Sequence, residues 1–312
     1  MRAVTYKKYG SVDNLIFDYG YPDPNIKDDE ILIRVIASSI NHVDILMRRG
    51  EFRLLGGFFA PRAHLLGRDF SGEVVESKEK NGLYKKGDKV FGVQFSGTSV
   101  ELITVKPRML SHAPNTINIK DAACYPLVTL TAIQAVKKLA NLQTGQTILI
   151  NGVGSVGSAA VYMARSLGAS KIDVTSSKKN FASIKQLPVN EVFDYKDLEW
   201  NKLPVKYDVV YDAHGYTPRD ELFKALKSGG VAVTTNPFRH LGELLTNKIR
   251  GGSKKFKANF AMPSHEGMIE VAKLIDEQGF RLKKAAEFSL DRYKQAHNKF
   301  EEGVEGKILI LH

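Results

Sequence analysis

A glycine-spaced string, Gly152-Val153-Gly154-Ser155-Val156-Gly157, carries the clearest chemistry in the chain. It follows a strand-like run, Gln146-Thr147-Ile148-Leu149-Ile150-Asn151, and opens into a helix-like run from Ala159 to Arg165. In that setting the spacing reads as a dinucleotide-binding turn. Gly152 permits the tight turn, Gly154 lets the backbone approach a pyrophosphate, and Gly157 lets helix and strand pack closely. Val153, Ser155 and Val156 complete the set of cofactor-binding positions. The helix N-terminus then offers unpaired N–H groups and the positive end of its dipole to the anion.

The next strand-like run, Lys171 to Thr175, ends in Ser176-Ser177-Lys178-Lys179. An acidic residue at such a tip binds a ribose 2′-hydroxyl, whereas a 2′-phosphate needs cations there. Asp173 competes for the acidic role, at roughly the ~20-residue offset of the motif. Strand side chains alternate faces, however, so Asp173 points away from Ser176. Ser176, Ser177 and Lys179 are therefore assigned to the cofactor, and the reading is NADPH over NADH. A solvated loop is the plainer alternative. Asp212-Ala213-His214-Gly215 closes a further strand, and ligands of open α/β sheets sit at such ends. Ala213 and Gly215 are small enough for close approach. Phe238 is placed beside the cofactor. With Phe260 and the run Gly56 to Pro61 it could also rim an apolar pocket, although such aromatics more often belong to a core.

These residues need a scaffold. Up to about residue 110 short apolar runs, such as Glu30 to Ile36, Gly72 to Glu76, Asp88 to Val93 and Ser99 to Val105, alternate with Gly, Pro, Asn and Asp turns. That pattern suits a small barrel-like β domain. From Asp121 the period becomes helical. After the glycine string, strand and helix signals alternate: Lys171 to Thr175, Phe181 to Gln186, Glu191 to Tyr195, Tyr207 to Asp212, Asp220 to Leu226, Gly230 to Thr235. This is the rhythm of a doubly wound parallel sheet, with Phe256 to Met262 as its last strand. Ser264 caps a following helix that Gly279 ends. A strand at Ala285 to Phe288, a helix at Asp291 to Phe300 and a strand at Lys307 to Leu311 follow.

The length of 312 residues suits two domains. No apolar run is long enough to cross a bilayer, and the opening residues lack the apolar core of a signal peptide. A cytoplasmic location is expected. The single cysteine, Cys124, excludes an intramolecular disulfide and a multi-cysteine zinc site, and its neighbours Ala122, Ala123 and Tyr125 suggest a buried small hydrophobe. The net charge of +11 is partly concentrated in Lys248, Arg250, Lys254, Lys255 and Lys257. Without a nucleic-acid motif beside it, this cluster reads as a solvated face or an attractor of anionic ligands, and no nucleic acid is expected as a partner.

Several further strings resemble the zinc-independent quinone oxidoreductase (zeta-crystallin-like) branch of the medium-chain dehydrogenase/reductase superfamily. They are Asn41-His42-Val43-Asp44, Gly67-Arg68-Asp69-Phe70-Ser71-Gly72-Glu73-Val74, Gly87-Asp88-Lys89-Val90, Leu130-Thr131-Ala132 and Gly306-Lys307-Ile308-Leu309-Ile310. The resemblance spans nearly the whole chain. It implies an α/β architecture: a GroES-like catalytic domain from 1–119 and 263–312, and a Rossmann domain from 120–262. It implies Tyr195 and Lys179 near the adenosine 2′-phosphate, and a homodimer. Zinc-dependent cousins carry Cys near position 41 and His near 68; here these are Asn41 and Arg68, so no metal is expected. The activity implied is transfer of a hydride from NADPH to a quinone or an α,β-unsaturated carbonyl. Negative charge then develops on oxygen, where a donor helps. The amide of Asn41 is the leading catalytic candidate, with a turn cap as the equal alternative. Thr131 is placed against the nicotinamide or ribose, or bonds back to its own helix. A 2-enoyl thioester reductase and a non-catalytic NADPH- or RNA-binding protein are the other readings.

Overall fold

Strand Ile31–Ile40 begins as a half-buried strand and ends as a fully buried one. Ile31, Ile33 and Val35 face inward while Leu32, Arg34 and Ile36 stay partly outside; from Ala37 to Ile40 every residue is buried. The first half is covered on one face only, the second on both. It belongs to the first of two compact units in the computed structural model, which comprises Met1–Leu127 and Pro263–His312; the second is Val128–Met262. The described residues are 1–53, 57–61, 64–95, 97–250 and 252–312, and of 247–250 only the backbone is described.

Within the first unit, the described residues form a seven-stranded sheet. Its order is Lys284–Ser289, Lys307–Leu311, Ile31–Ile40, Asp69–Ser77, Lys89–Val93 and Leu110–His112, with Leu102–Val105 pairing to Ile31–Ile40. Only the Lys284–Ser289 and Lys307–Leu311 pair is parallel; the others are antiparallel. The closing strand thus returns beside Ile31–Ile40, pairing Ile308 with Ile40. Helix His42–Arg49 starts directly after that strand and stops at Gly50, whose φ of 82° provides the left-handed cap. Helix His265–Asp276 starts at Ser264, whose side chain accepts from the Gly267 N–H, as the sequence led one to expect.

The second unit holds a six-stranded, all-parallel sheet among the described residues. The order is Glu191–Asp194, Lys171–Ser176, Thr147–Asn151, Tyr207–Asp212, Leu226–Thr234, Lys255–Ala258. This is the doubly wound order, reversing beside the strand that feeds the glycine turn. Its central strands read as continuous apolar runs because helices cover both faces: Ile148, Leu149 and Ile150 are fully buried, as are Val210 and Tyr211. The last strand is shorter than its apolar run, ending at Ala258 rather than Met262. Asn259 turns the chain there, and its side chain donates to the Thr131 carbonyl at 2.7 Å. The helical stretch after Asp121 also differs in detail. Helix Pro126–Ile133 continues as a π-helical turn, Gln134–Leu139, a rare form often found near functional sites.

Candidate cofactor and active-site residues

The glycine turn has the geometry its spacing implies. Gly152 has φ of 91°, which favours glycine. A Cβ on Gly157 would lie 2.0 Å from the Gly152 carbonyl oxygen, so helix Ser155–Ser166 packs too closely on the turn for a side chain. A Cβ on Gly154 would meet nothing within 4 Å. Gly154 is also the N-cap residue, and no side chain caps that helix. Open space and uncapped N–H groups at one helix N-terminus fit a pyrophosphate. Val153, Ser155 and Val156 are half-buried around it.

A buried polar network beneath the turn was missed by the sequence reading. The Asn151 amide donates to Asp212 Oδ1 and Thr217 Oγ1, each at 2.8 Å, and Thr175 Oγ1 donates to Asn151 Oδ1 at 2.6 Å. The Gly152 N–H donates to Thr175 Oγ1 at 3.1 Å. Burial pushes the Asp212 carboxyl up, opposed first by the Asn151 amide. The network ties together the C-terminal ends of three adjacent strands. Ala213 and His214 bond through their N–H groups to the Asn151 carbonyl, which brings Ala213 and Gly215 beside the turn. The signal was available: Asn151, Thr175 and Asp212 each close an apolar strand with a polar residue.

Asp173 is fully buried and engaged elsewhere. It accepts from Tyr207 OH at 2.6 Å and from the Glu191 N–H at 3.1 Å, with Lys171 Nζ at 3.3 Å. Ser176 closes its strand nearly buried, Ser177 is half-buried, and Lys179 is exposed. The Tyr195 N–H donates to the Ser176 carbonyl at 3.1 Å, so Tyr195 stands beside this tip with its ring 54% exposed. Phe238 lies beyond strand Leu226–Thr234 and forms an edge-to-face pair with Phe260 at 6.4 Å; both rings are about half exposed. Thr131 lies on helix Pro126–Ile133, held through its carbonyl by Asn259. Lys254 and Lys257 donate to the carbonyls of Phe223 and Leu139. Gly56 and the side chains of Lys248 and Arg250 fall outside the described residues.

Asn41 belongs to the first unit, and it is a node rather than a free donor. It occupies the N-cap position of helix His42–Arg49. Its Nδ2 donates to Asp69 Oδ2 at 2.8 Å, and its Oδ1 accepts from Lys307 Nζ at 2.7 Å. Its backbone N–H donates to Asp44 Oδ2 at 2.8 Å. Asp69 also accepts from Ser39 Oγ at 3.0 Å and from the Leu127 N–H at 2.8 Å, and lies 3.4 Å from Lys307 Nζ. Arg68 is buried nearby, its Nε on the Gln94 carbonyl at 2.9 Å and its guanidinium over the Phe95 ring. The cations Arg68 and Lys307 offset the carboxylates Asp44 and Asp69, which is the condition for burying such charges. Burial nevertheless pushes Asp44 up to about 6, against the Asn41 N–H and Arg68. Cys124 is buried, and its thiol is pushed up to about 12 by that burial, as suits a packing residue. Among the described residues no group of three or more His, Cys, Asp or Glu is placed to hold a metal ion.

Residues 27–115 match the alcohol dehydrogenase GroES-like domain, and residues 187–310 match the family described as zinc-binding dehydrogenase. The chain is 32% identical to the 2-methylene-furan-3-one reductase of Solanum lycopersicum, over 99% of this chain and 79% of that one.

The chain belongs to the medium-chain dehydrogenase/reductase superfamily, in its zinc-independent quinone oxidoreductase branch.

Another relative in the branch is the chloroplastic NADPH-dependent alkenal/one oxidoreductase of Arabidopsis thaliana, 33% identical over 75% of this chain and 62% of that protein. Among solved structures, the quinone oxidoreductase of Coxiella burnetii aligns over 100% of this chain and 99% of its own, with a TM-score of 0.87 and 25% identity. The GroES-like and Rossmann modules expected from the sequence are thus both present.

Proposed function

We propose that this member of the branch is an NADPH-dependent reductase of quinones or α,β-unsaturated carbonyl compounds. The observation that carries the cofactor part is the glycine turn: a helix N-terminus without a side-chain cap, open space at Gly154, and close packing at Gly157. The substrate part rests on the relatives, whose names specify alkenal/one, furanone and quinone reduction.

Bound NADPH would supply the hydride. Gly152 to Gly157 would hold the pyrophosphate. Ser176, Ser177, Lys179 and Tyr195 would hold the adenosine end, with cations for the 2′-phosphate. Ala213, Gly215 and Phe238 would line the dinucleotide, and Thr131 would meet its nicotinamide or ribose. In the first unit, Asn41 is held by Asp69 and Lys307 on its two amide atoms. Only the second proton of Nδ2 is left to steady a developing oxyanion, so its larger role is to orient that proton. A homodimer in the cytoplasm completes the proposal, checked by light scattering and cell fractionation.

The deciding experiment follows oxidation of NADPH and NADH, separately, against quinones, enals and enoyl thioesters. Turnover of quinones or enals with NADPH is expected. Turnover of enoyl thioesters alone would replace this substrate class. Tight NADPH binding with no turnover across the panel would remove the enzymatic reading.

A further inference from the structure

The strand end assigned to the 2′-phosphate has a carboxylate beside it that comes from the neighbouring strand. Strands Lys171–Ser176 and Glu191–Asp194 run parallel, in a register that pairs Ser176 with Asp194. Residues paired across adjacent strands project to the same face. The Asp194 side chain is only 8% exposed, so water screens it poorly. It accepts from the Lys196 N–H at 3.0 Å, and its other oxygen lies 3.7 Å from Lys178 Nζ. Lys178 also reaches Asp197 Oδ2 at 2.8 Å. The lysine is therefore held over Asp194 by a second, exposed carboxylate. Lys179 is exposed and stays available for direct contact with a ligand.

We propose that Lys178 is a specificity-determining residue that acts through Asp194. It cancels the Asp194 carboxylate so that the strand end accepts a 2′-phosphate. Asp194 unscreened would repel that phosphate and would favour a ribose bearing a free 2′-hydroxyl, for which it is a natural acceptor. The proposal rests on the nucleotide reading above. It assigns Lys178 and Lys179 different work: Lys179 contacts the phosphate, and Lys178 neutralises the neighbour that would oppose it. Asp197 positions Lys178 and needs no contact with the nucleotide.

The test is calorimetric titration of the full chain with NADPH and with NADH, on the native protein, Lys178→Ala, Asp194→Asn and the double variant. Lys178 is exposed, and Asn at 194 keeps an acceptor for the Lys196 N–H, so the variants are expected to fold; thermal melts check this. Lys178→Ala should weaken NADPH about tenfold, less than a fully desolvated like-charge juxtaposition because the ligand's phosphate stays partly in water, and leave NADH within about twofold. The double variant should recover NADPH binding to within about threefold of native, because the charge that needed cancelling is gone. An unchanged NADPH-to-NADH ratio in Lys178→Ala overturns the proposal. So does a double variant as weak as Lys178→Ala, since Lys178 would then contact the phosphate itself. If the native protein binds neither dinucleotide, the nucleotide reading fails with it; native binding with a ratio indifferent to both residues defeats the screening role alone.

Discussion

Lys307 Nζ donates to Asn41 Oδ1 at 2.7 Å, across 266 positions of sequence, and both side chains are buried. The same ammonium faces Asp69 at 3.4 Å. The closing strand thus delivers a cation to a turn formed near the start of the chain.

Removing that cation should be costly. Lys307→Met leaves the fully buried Asp69 carboxylate with neutral donors only. Breaking a buried pair from one side costs about 3–5 kcal/mol. Asn41→Ala removes one donor to Asp69 and should cost about 1–3 kcal/mol. Urea denaturation of the two variants should show this order, and the reverse order would deny Lys307 its place at the centre of the network.

Asp44 should impose a pH dependence on stability. Burial raises its carboxyl from 3.8 to about 6. Between those values the folded chain binds more protons at this site than the unfolded chain. Stability from Asp44 is therefore greatest below the unfolded pKa and falls as pH rises through the folded one. The rise corresponds to about 3 kcal/mol. Asp44→Asn abolishes the titration, so its stability relative to native should improve as pH rises from the unfolded value of 3.8 through the folded value of about 6. A difference between the two proteins that stays constant with pH would show that Asp44 does not titrate there.

The glycines of the turn should separate by phenotype. Gly157→Ala places a Cβ 2.0 Å from the Gly152 oxygen and should lower the melting temperature as well as cofactor affinity. Gly154→Ala meets nothing within 4 Å, so the fold should survive while NADPH affinity drops about tenfold or more. Equal affinity in Gly154→Ala would mean that the open space does not receive the pyrophosphate.

Asp173 should matter to stability and not to the cofactor. Tyr207→Phe removes the 2.6 Å hydrogen bond to its buried carboxylate and should cost about 1–3 kcal/mol. Its NADPH-to-NADH affinity ratio should equal the native ratio. A changed ratio would return Asp173 to the ribose site.

The fold was legible where local pattern and tertiary environment agree. Gly152 to Gly157 sits in a local context of strand, turn and helix, so its geometry followed from spacing alone. The parallel strands were visible because a sheet covered on both faces needs uninterrupted apolar runs. The strand at Lys255–Ala258 stops short of its apolar run because Asn259 is recruited by Thr131, a partner the run itself does not reveal. Helix Leu241–Arg250 is not among the elements expected from the sequence.

The sequence by itself determined the dinucleotide turn, the two-module order and the residue types Asn41 and Arg68 at the positions where the resemblance would put zinc ligands. These depend on residue type and short spacing, which folding does not alter. Only the tertiary structure decided what those residues do. Asn41 became a held node because Asp69 and Lys307 converge on it from distant strands. Asp194 came to stand beside Ser176 because strand register, not sequence distance, sets which side chains are neighbours. Asp44 acquired its raised carboxyl through desolvation, a property of the packed interior that an isolated residue does not have.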